Sequence, residues 1–174
     1  MAVLIAFAGL PGTGKSTICR ALSVSAGAVY LRVDEIETAI WSHAPDRDLG
    51  PEGYLIAAAL AASNLELGHT TIIDCVNPWP LTRAIFAAAA LRARVPLLGI
   101  ETCCTDQDVH RQRVEARDID IPGQKKLDWE SVMKRDYIAW KDAALHIDTA
   151  KTDVAQAVSQ IVQQLENFRT PEMR

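Results

Sequence analysis

Apolar runs at residues 3–8, 29–33, 70–75, 97–103 and 145–147 alternate with longer amphipathic or alanine-rich stretches at 15–26, 34–42, 51–67, 80–93, 105–117, 129–143 and 154–168. Short continuous apolar runs separated by helix-length segments predict parallel strands buried on both faces, an α/β fold with helices on either side of a five-stranded sheet. Punctuation agrees with that reading. Pro51 and Pro80 suit first-turn positions, Thr152 and Asp153 precede the last helix, and Gly27 and Gly68 fit C-terminal stops. Residues 42–53 and 118–128 are polar and rich in Pro or Gly, so they form the two long irregular connections, expected to close over whatever binds at the carboxyl ends of the strands. Thr170 to Arg174 is expected to fray.

The first apolar run leads directly into Gly9-Leu10-Pro11-Gly12-Thr13-Gly14-Lys15-Ser16-Thr17. Gly-x4-Gly-Lys-Ser after a buried strand and at the opening of a helix is a phosphate-binding loop, the Walker A pattern. Its glycines let backbone N–H groups converge on phosphate oxygens without a Cβ in the way, and the helix opening near Lys15 adds the positive end of its dipole. Lys15 is expected to reach the β- and γ-phosphates as a point charge, the Ser16 hydroxyl to ligate Mg²⁺, and Thr17 to lie near the α-phosphate. Gly9, Pro11 and Thr13 complete the expected nucleotide contacts. ATP and Mg²⁺ are thus the expected cofactors.

A chain of 174 residues with 49% hydrophobic content needs no second domain, so residues 1–174 are read as one unit with a lid at about 111–128. The formal charge of −4 gives no general attraction to nucleic acid or to an anionic membrane. No basic leader precedes the first strand, and Asn64, Glu66 and Arg83 interrupt the alanine-rich segments before they reach membrane-spanning length, so the expected location is the cytosol. Cys19, Cys75, Cys103 and Cys104 lack C-x-x-C spacing and read as buried reduced thiols, while His43, His69, His110 and His146 are scattered, so no transition-metal site is expected. The alanine-rich segments 56–62 and 84–93 could pack internally or against a second copy, which leaves a homodimer open.

Discrimination among nucleotide-binding functions rests on the other strand ends. Asp34 ends the second apolar run, where a carboxylate faces the γ-phosphate and can accept the proton of an attacking hydroxyl; the same residue could cap the next helix. Asp74 ends the third run, positioned to hold Mg²⁺ through water or to orient an acceptor, and Asn77 can hydrogen-bond either; both could instead form a turn before Pro78. Arg113 and Arg117 stand four residues apart on one face of a predicted helix that leads into residues 118–128, where cations could stabilise a transferring phosphoryl group or stack on adenine; Arg111 is a third candidate. Ile40, Trp41, Tyr54 and Trp79 lie in or beside the acceptor region, and Trp129 and Trp140 are expected in the core.

Taken together, these motifs resemble a small P-loop kinase of the nucleoside-monophosphate-kinase-like superfamily, among the AAA-type P-loop kinases. The nearest resemblance is to the branch of polynucleotide 5′-hydroxyl kinases, chloramphenicol phosphotransferase and zeta-toxin-like enzymes. Val33-Asp34 is similar to the strand-two Asp that those families use as base. Asp74 to Asn77 followed by Arg83 looks like the Asp-x-x-Asn…Arg stretch of polynucleotide kinases, and His110 to Arg117 is similar to the arginine-bearing lid. The resemblance implies a three-layer fold with strand order 2-3-1-4-5, catalytic roles for Lys15, Asp34 and Arg113, and acceptor contacts from Asp34, Glu37, Asp74, Asn77 and Arg83. One departure matters: where polynucleotide kinases place an Arg three residues after the base, this chain has Glu37, which repels a phosphorylated acceptor and suits a cationic or polyhydroxylated one. The resulting expectation is an ATP-dependent kinase acting on a hydroxyl of a small molecule. Polynucleotide 5′-hydroxyl phosphorylation is the alternative, and a nucleotide-binding regulatory ATPase the second.

Overall fold

Leu4 to Ala8 is buried at every position, and this strand, β1, takes the centre of the sheet. The computed structural model describes residues 1–169. Around β1 stand β2 (Val29–Arg32), β3 (Thr71–Asp74), β4 (Leu97–Cys103) and β5 (Leu145–Asp148), all parallel, in the order β2-β3-β1-β4-β5. This is the order that the family resemblance implies. Because side chains alternate along a strand, Leu4, Ala6 and Ala8 enter one layer while Val3, Ile5 and Phe7 enter the other.

The two layers are chemically distinct. Ile18, Cys19 and Leu22 of α1 (Lys15–Ala26) pack on one face with Ala157, Ile161 and Leu165 of α7 (Val154–Arg169). The opposite face takes Ala57, Ala61, Ala62 and Leu65 of α3 (Glu52–Glu66) and Phe86, Ala89 and Ala90 of α4 (Pro80–Ala93). Alanine at the contact lets these two helices approach the sheet and each other closely, while Leu55 and Leu60 of α3 remain exposed. Between β2 and α3 runs α2 (Val33–His43), and α5 (Gln107–Glu115) follows β4. Among the described residues no helix is long and apolar enough to cross a membrane.

The predicted helix over 129–143 is a correction. Only α6 (Trp129–Met133) is helical, and the chain then runs irregularly to β5. Two charged groups, Glu101 partly buried and Arg83 buried, take the backbone bonds that a helix would have used. Glu101 of β4 accepts hydrogen bonds from the Trp140 amide (2.7 Å) and the Tyr137 hydroxyl (2.6 Å). From the other side, Arg83 of α4 donates to the carbonyls of Ile138, Ala139 and Asn77 and lies 5.3 Å from the Trp140 ring centroid. Trp140 is core, as expected, and its indole fills the space above Gly99, where a Cβ would stand 2.5 Å from the ring. Trp129 is half-buried, its ring edge-on to His110 at 5.0 Å. Cys103 departs from the buried-thiol expectation and is exposed.

Candidate active site

Where β1 ends, Gly9 passes so close to β4 that a Cβ would stand 2.3 Å from the Thr102 carbonyl oxygen. Gly12 has φ of 84°, and a Cβ there would meet Val114 Cγ2 of α5 at 2.6 Å, so only glycine fits the loop apex. His110 of α5 holds that apex from behind, its Nε2 lying 2.8 Å from the Pro11 carbonyl oxygen. Thr13 is turned inward, donating to the Leu10 carbonyl (2.8 Å) and sharing a hydrogen bond with Thr102 (2.9 Å). Gly9 and Thr13 are therefore buried members of the loop that shape it from behind and do not line the cleft. The amides of Gly12, Gly14, Lys15 and Ser16 find no acceptor among the described residues, which leaves a nest of N–H donors at the start of α1.

In front of this loop lies a cleft of about 1740 Å³ that brings together Pro11, Gly12, Gly14, Lys15, Ser16 and Thr17 with Asp34, Glu37, Asp74, Arg113 and Arg117. Lys15 is buried and donates to the Leu10 carbonyl (2.8 Å); burial draws its ammonium below the usual lysine range, with the carboxylates of Asp74 and Asp34 opposing. Asp34 sits in the first turn of α2 and caps nothing. Its Oδ2 instead accepts a hydrogen bond from Gln124 in the irregular segment after α5 (3.2 Å). Asp74 is buried, accepts from the Tyr30 hydroxyl (2.7 Å) and faces Arg32 Nε at 3.7 Å.

Arg113 donates to the Thr149 hydroxyl (2.8 Å) and carbonyl (3.1 Å), which fixes its guanidinium at the end of β5. Arg117 stands beyond the end of α5 rather than on its face, 3.6 Å from Asp120. Arg111 points away, paired with Glu115 on the surface. Two further candidates lie outside the cleft. Asn77 is fully buried with φ of 50° and does not reach the cleft, and Arg83 is committed to the carbonyls described above. Arg83→Met removes every donor to those carbonyls, so it is expected to lower stability by about 2–4 kcal/mol in a urea titration without changing nucleotide affinity. Of the aromatics expected near the acceptor, Trp41 lines the cleft; Tyr54 packs on Phe86, and Trp79 donates to Asp136 outside it.

A group absent from the candidates read in the sequence organises this region. Arg32, at the end of β2, is almost wholly buried and bonds Asp120 (2.7 Å), with Asp34 and Asp74 at 3.9 and 3.7 Å. Asp120 also pairs with Arg20 of α1, and the hydrogen bonds of both guanidinium groups hold its carboxyl well below the usual carboxylate range. Residues 118–128 therefore reach across to the β2 side of the cleft, and the loop at 150–153 borders the P-loop side. The available signal was a cation inside an otherwise apolar strand two residues before Asp34.

For the expected Mg²⁺, the cleft offers the Ser16 hydroxyl, which has no hydrogen bond among the described residues, and the Asp74 carboxylate. Both are hard oxygen donors of the kind that ion accepts, so the residues fit.

The Glu37 carboxyl is pushed up towards neutrality, to about 7, by burial first and by Asp34 second, with Arg135 opposing. Between its unfolded value of 4.5 and about 7 the native state keeps a proton that the unfolded chain releases, so rising pH costs stability across that window. Glu37→Gln is accordingly expected to gain roughly 1–2 kcal/mol at pH 8, after allowance for partial exposure, and nothing at pH 4, measured by thermal melts.

Fold and loop together define a P-loop nucleoside-triphosphatase fold of the kinase-like kind. The AAA-domain family model matches residues 4–133, and the chain belongs to that family. Among solved structures it is similar to the Mycobacterium tuberculosis APS kinase CysC in complex with AMPPNP and APS (16% identity, 95% of this chain and 98% of that one, TM-score 0.70). It is also similar to a gluconokinase from Sinorhizobium meliloti (15%, 95% and 94%, 0.63) and to Chaetomium thermophilum Kti12 in complex with ADP-AlF3 (19%, 97% and 100%, 0.68). At these identities the likeness is one of fold. No curated protein matches the sequence.

Proposed function

We propose that the protein is an ATP-dependent phosphotransferase that moves the γ-phosphoryl group to a hydroxyl of a small molecule, acting as one domain with a lid at about 111–128. The observation that carries this reading is the shared cleft, in which the P-loop amides and Lys15 face Asp34. The amides of Gly12, Gly14, Lys15 and Ser16 bind the phosphates, and Lys15 exchanges the Leu10 carbonyl for phosphate oxygen. Asp34 takes the proton as the alcohol oxygen forms its bond to Pγ and the bond from Pγ to the bridging oxygen of ADP breaks. Arg113, held by Thr149, supplies a fixed cation and Arg117 a second. Bound through Ser16 and Asp74, Mg²⁺ would neutralise phosphate charge.

Two structural neighbours are named an APS kinase, in complex with AMPPNP and APS, and a gluconokinase, which supports a small-molecule rather than a polymeric substrate. Asp34 and Glu37 side by side disfavour a phosphate-bearing acceptor, which argues against polynucleotide 5′-hydroxyl phosphorylation. Incubation with γ-labelled ATP and a library of small alcohols tests the reading, with a 5′-hydroxyl oligonucleotide as the rival substrate. A labelled small-molecule ester is the expected product; label on the oligonucleotide alone, or only inorganic phosphate, contradicts it.

A further inference from the structure

Asp34, Glu37, Thr38 and Trp41 fall at i, i+3, i+4 and i+7 of α2, and all four line the cleft. The helix therefore offers one continuous stripe to the acceptor. Within it, Glu37 is unusual. Its carboxylate accepts no hydrogen bond and closes no ion pair among the described residues, although it is half-buried. Its placement is built rather than incidental: Gly53 of α3 lies so close that a Cβ there would stand 2.5 Å from Glu37 Cγ and 2.7 Å from Oε1. Any larger residue at 53 would displace the side chain. One turn further on, the Trp41 indole is anchored by its Nε1, which donates to the Arg47 carbonyl (3.0 Å), and 42% of the residue remains exposed.

We propose that the acceptor is an amino alcohol or aminocyclitol, with its reacting hydroxyl at Asp34 and an ammonium group at Glu37 and Trp41. An unpaired, partly desolvated carboxylate beside an aromatic ring stabilises a cation by charge and by the ring quadrupole together, whereas a neutral polyol answers neither. Residues three apart on a helix hold their Cβ atoms about 5–6 Å apart, so the ammonium lies a few bonds from the hydroxyl, as in a 1,2- or 1,3-amino alcohol. The groups facing Glu37 are Asp34 on its own helix, Tyr54 from α3, Cys75 after β3 and Arg135 after α6. Burial pushes the Tyr54 and Cys75 groups up, so both stay neutral near pH 7, and the Arg135 charge opposes Glu37's upward shift.

The placement of the hydroxyl rests on the kinase reading, but the ammonium preference is measurable without turnover. Calorimetry on the full chain with ADP present compares 2-deoxystreptamine with myo-inositol, and 3-amino-1-propanol with 1,3-propanediol. At least one amine is expected to bind tenfold or more tightly than its carbon-matched alcohol. Repeating the titration at pH 7 in buffers of different ionisation enthalpy is expected to show proton release, because a bound cation ionises Glu37. Glu37→Gln is expected to erase the preference and the proton release while ADP still binds, and Trp41→Leu to weaken amine binding alone. Equal binding of amine and alcohol, or a preference that survives Glu37→Gln, overturns the proposal. Amine binding that depends on Glu37 but yields no phosphorylated amine with ATP would uphold this site and sink the kinase reading. Transfer to neutral polyols without amine preference would do the reverse.

Discussion

Asp34→Asn is expected to slow phosphoryl transfer by about 10²–10⁴-fold, the range that a positioned general base contributes. The amide keeps an oxygen for Gln124, which now donates to Asp34 Oδ2 at 3.2 Å, so the lid contact and the helix that begins at Val33 are retained. No hydrogen bond or ion pair among the described residues joins Asp34 to the phosphate-binding loop, and its carboxylate bears on that loop only through the field it exerts on Lys15. Nucleotide affinity should therefore change far less than turnover, the signature of an interaction made chiefly in the transition state. Single-turnover kinetics beside nucleotide titration separates the two. If Asp34→Asn transfers phosphate at the wild-type rate, Asp34 is not the base.

Lys15→Met is expected to lower turnover by about 10²–10³-fold through loss of a preorganised charge at the phosphates. Here, unlike the first case, ATP affinity falls as well, since the ammonium meets the ground-state phosphates too. Stability should move the other way. Burial draws the Lys15 ammonium below its usual range, so the folded state opposes the charged form, and removing it is expected to leave the melting temperature of the nucleotide-free protein unchanged or higher. A fall in both activity and melting temperature would show that Lys15 holds the loop through the Leu10 carbonyl rather than serving the phosphates.

These contrasts also show what the chain discloses by itself. The sheet was legible because each strand is a short apolar run and because β1 enters Gly9 to Thr17, a motif whose spacing is set by backbone geometry within a single turn. Lys15, Asp34 and Asp74 converge because each stands at or just beyond the carboxyl end of one of three neighbouring parallel strands, a consequence of topology that local patterning can carry. Asp74 is the last residue of β3, Asp34 lies in the first turn of α2 after β2, and Lys15 stands at the start of α1 after β1. What escaped was non-local. Residues 134–144 have helix-compatible composition, yet Glu101 and Arg83, which are distant in sequence, draw their backbone into an irregular path. The family resemblance implies an acceptor contact for Arg83, whereas its partners at 138 and 139 lie on a segment whose course no local pattern reveals. Arg32 and Asp120 are 88 residues apart, so a buried cation joining β2 to the segment after α5 becomes visible only once the chain is folded.

The central claim is spatial, and a crystal structure with a non-hydrolysable ATP analogue and Mg²⁺ tests it most directly. The account predicts the terminal phosphate beside Lys15, with room for an alcohol oxygen between it and the Asp34 carboxylate. A terminal phosphate directed away from Asp34, or one whose approach to that carboxylate is closed by protein, would contradict it.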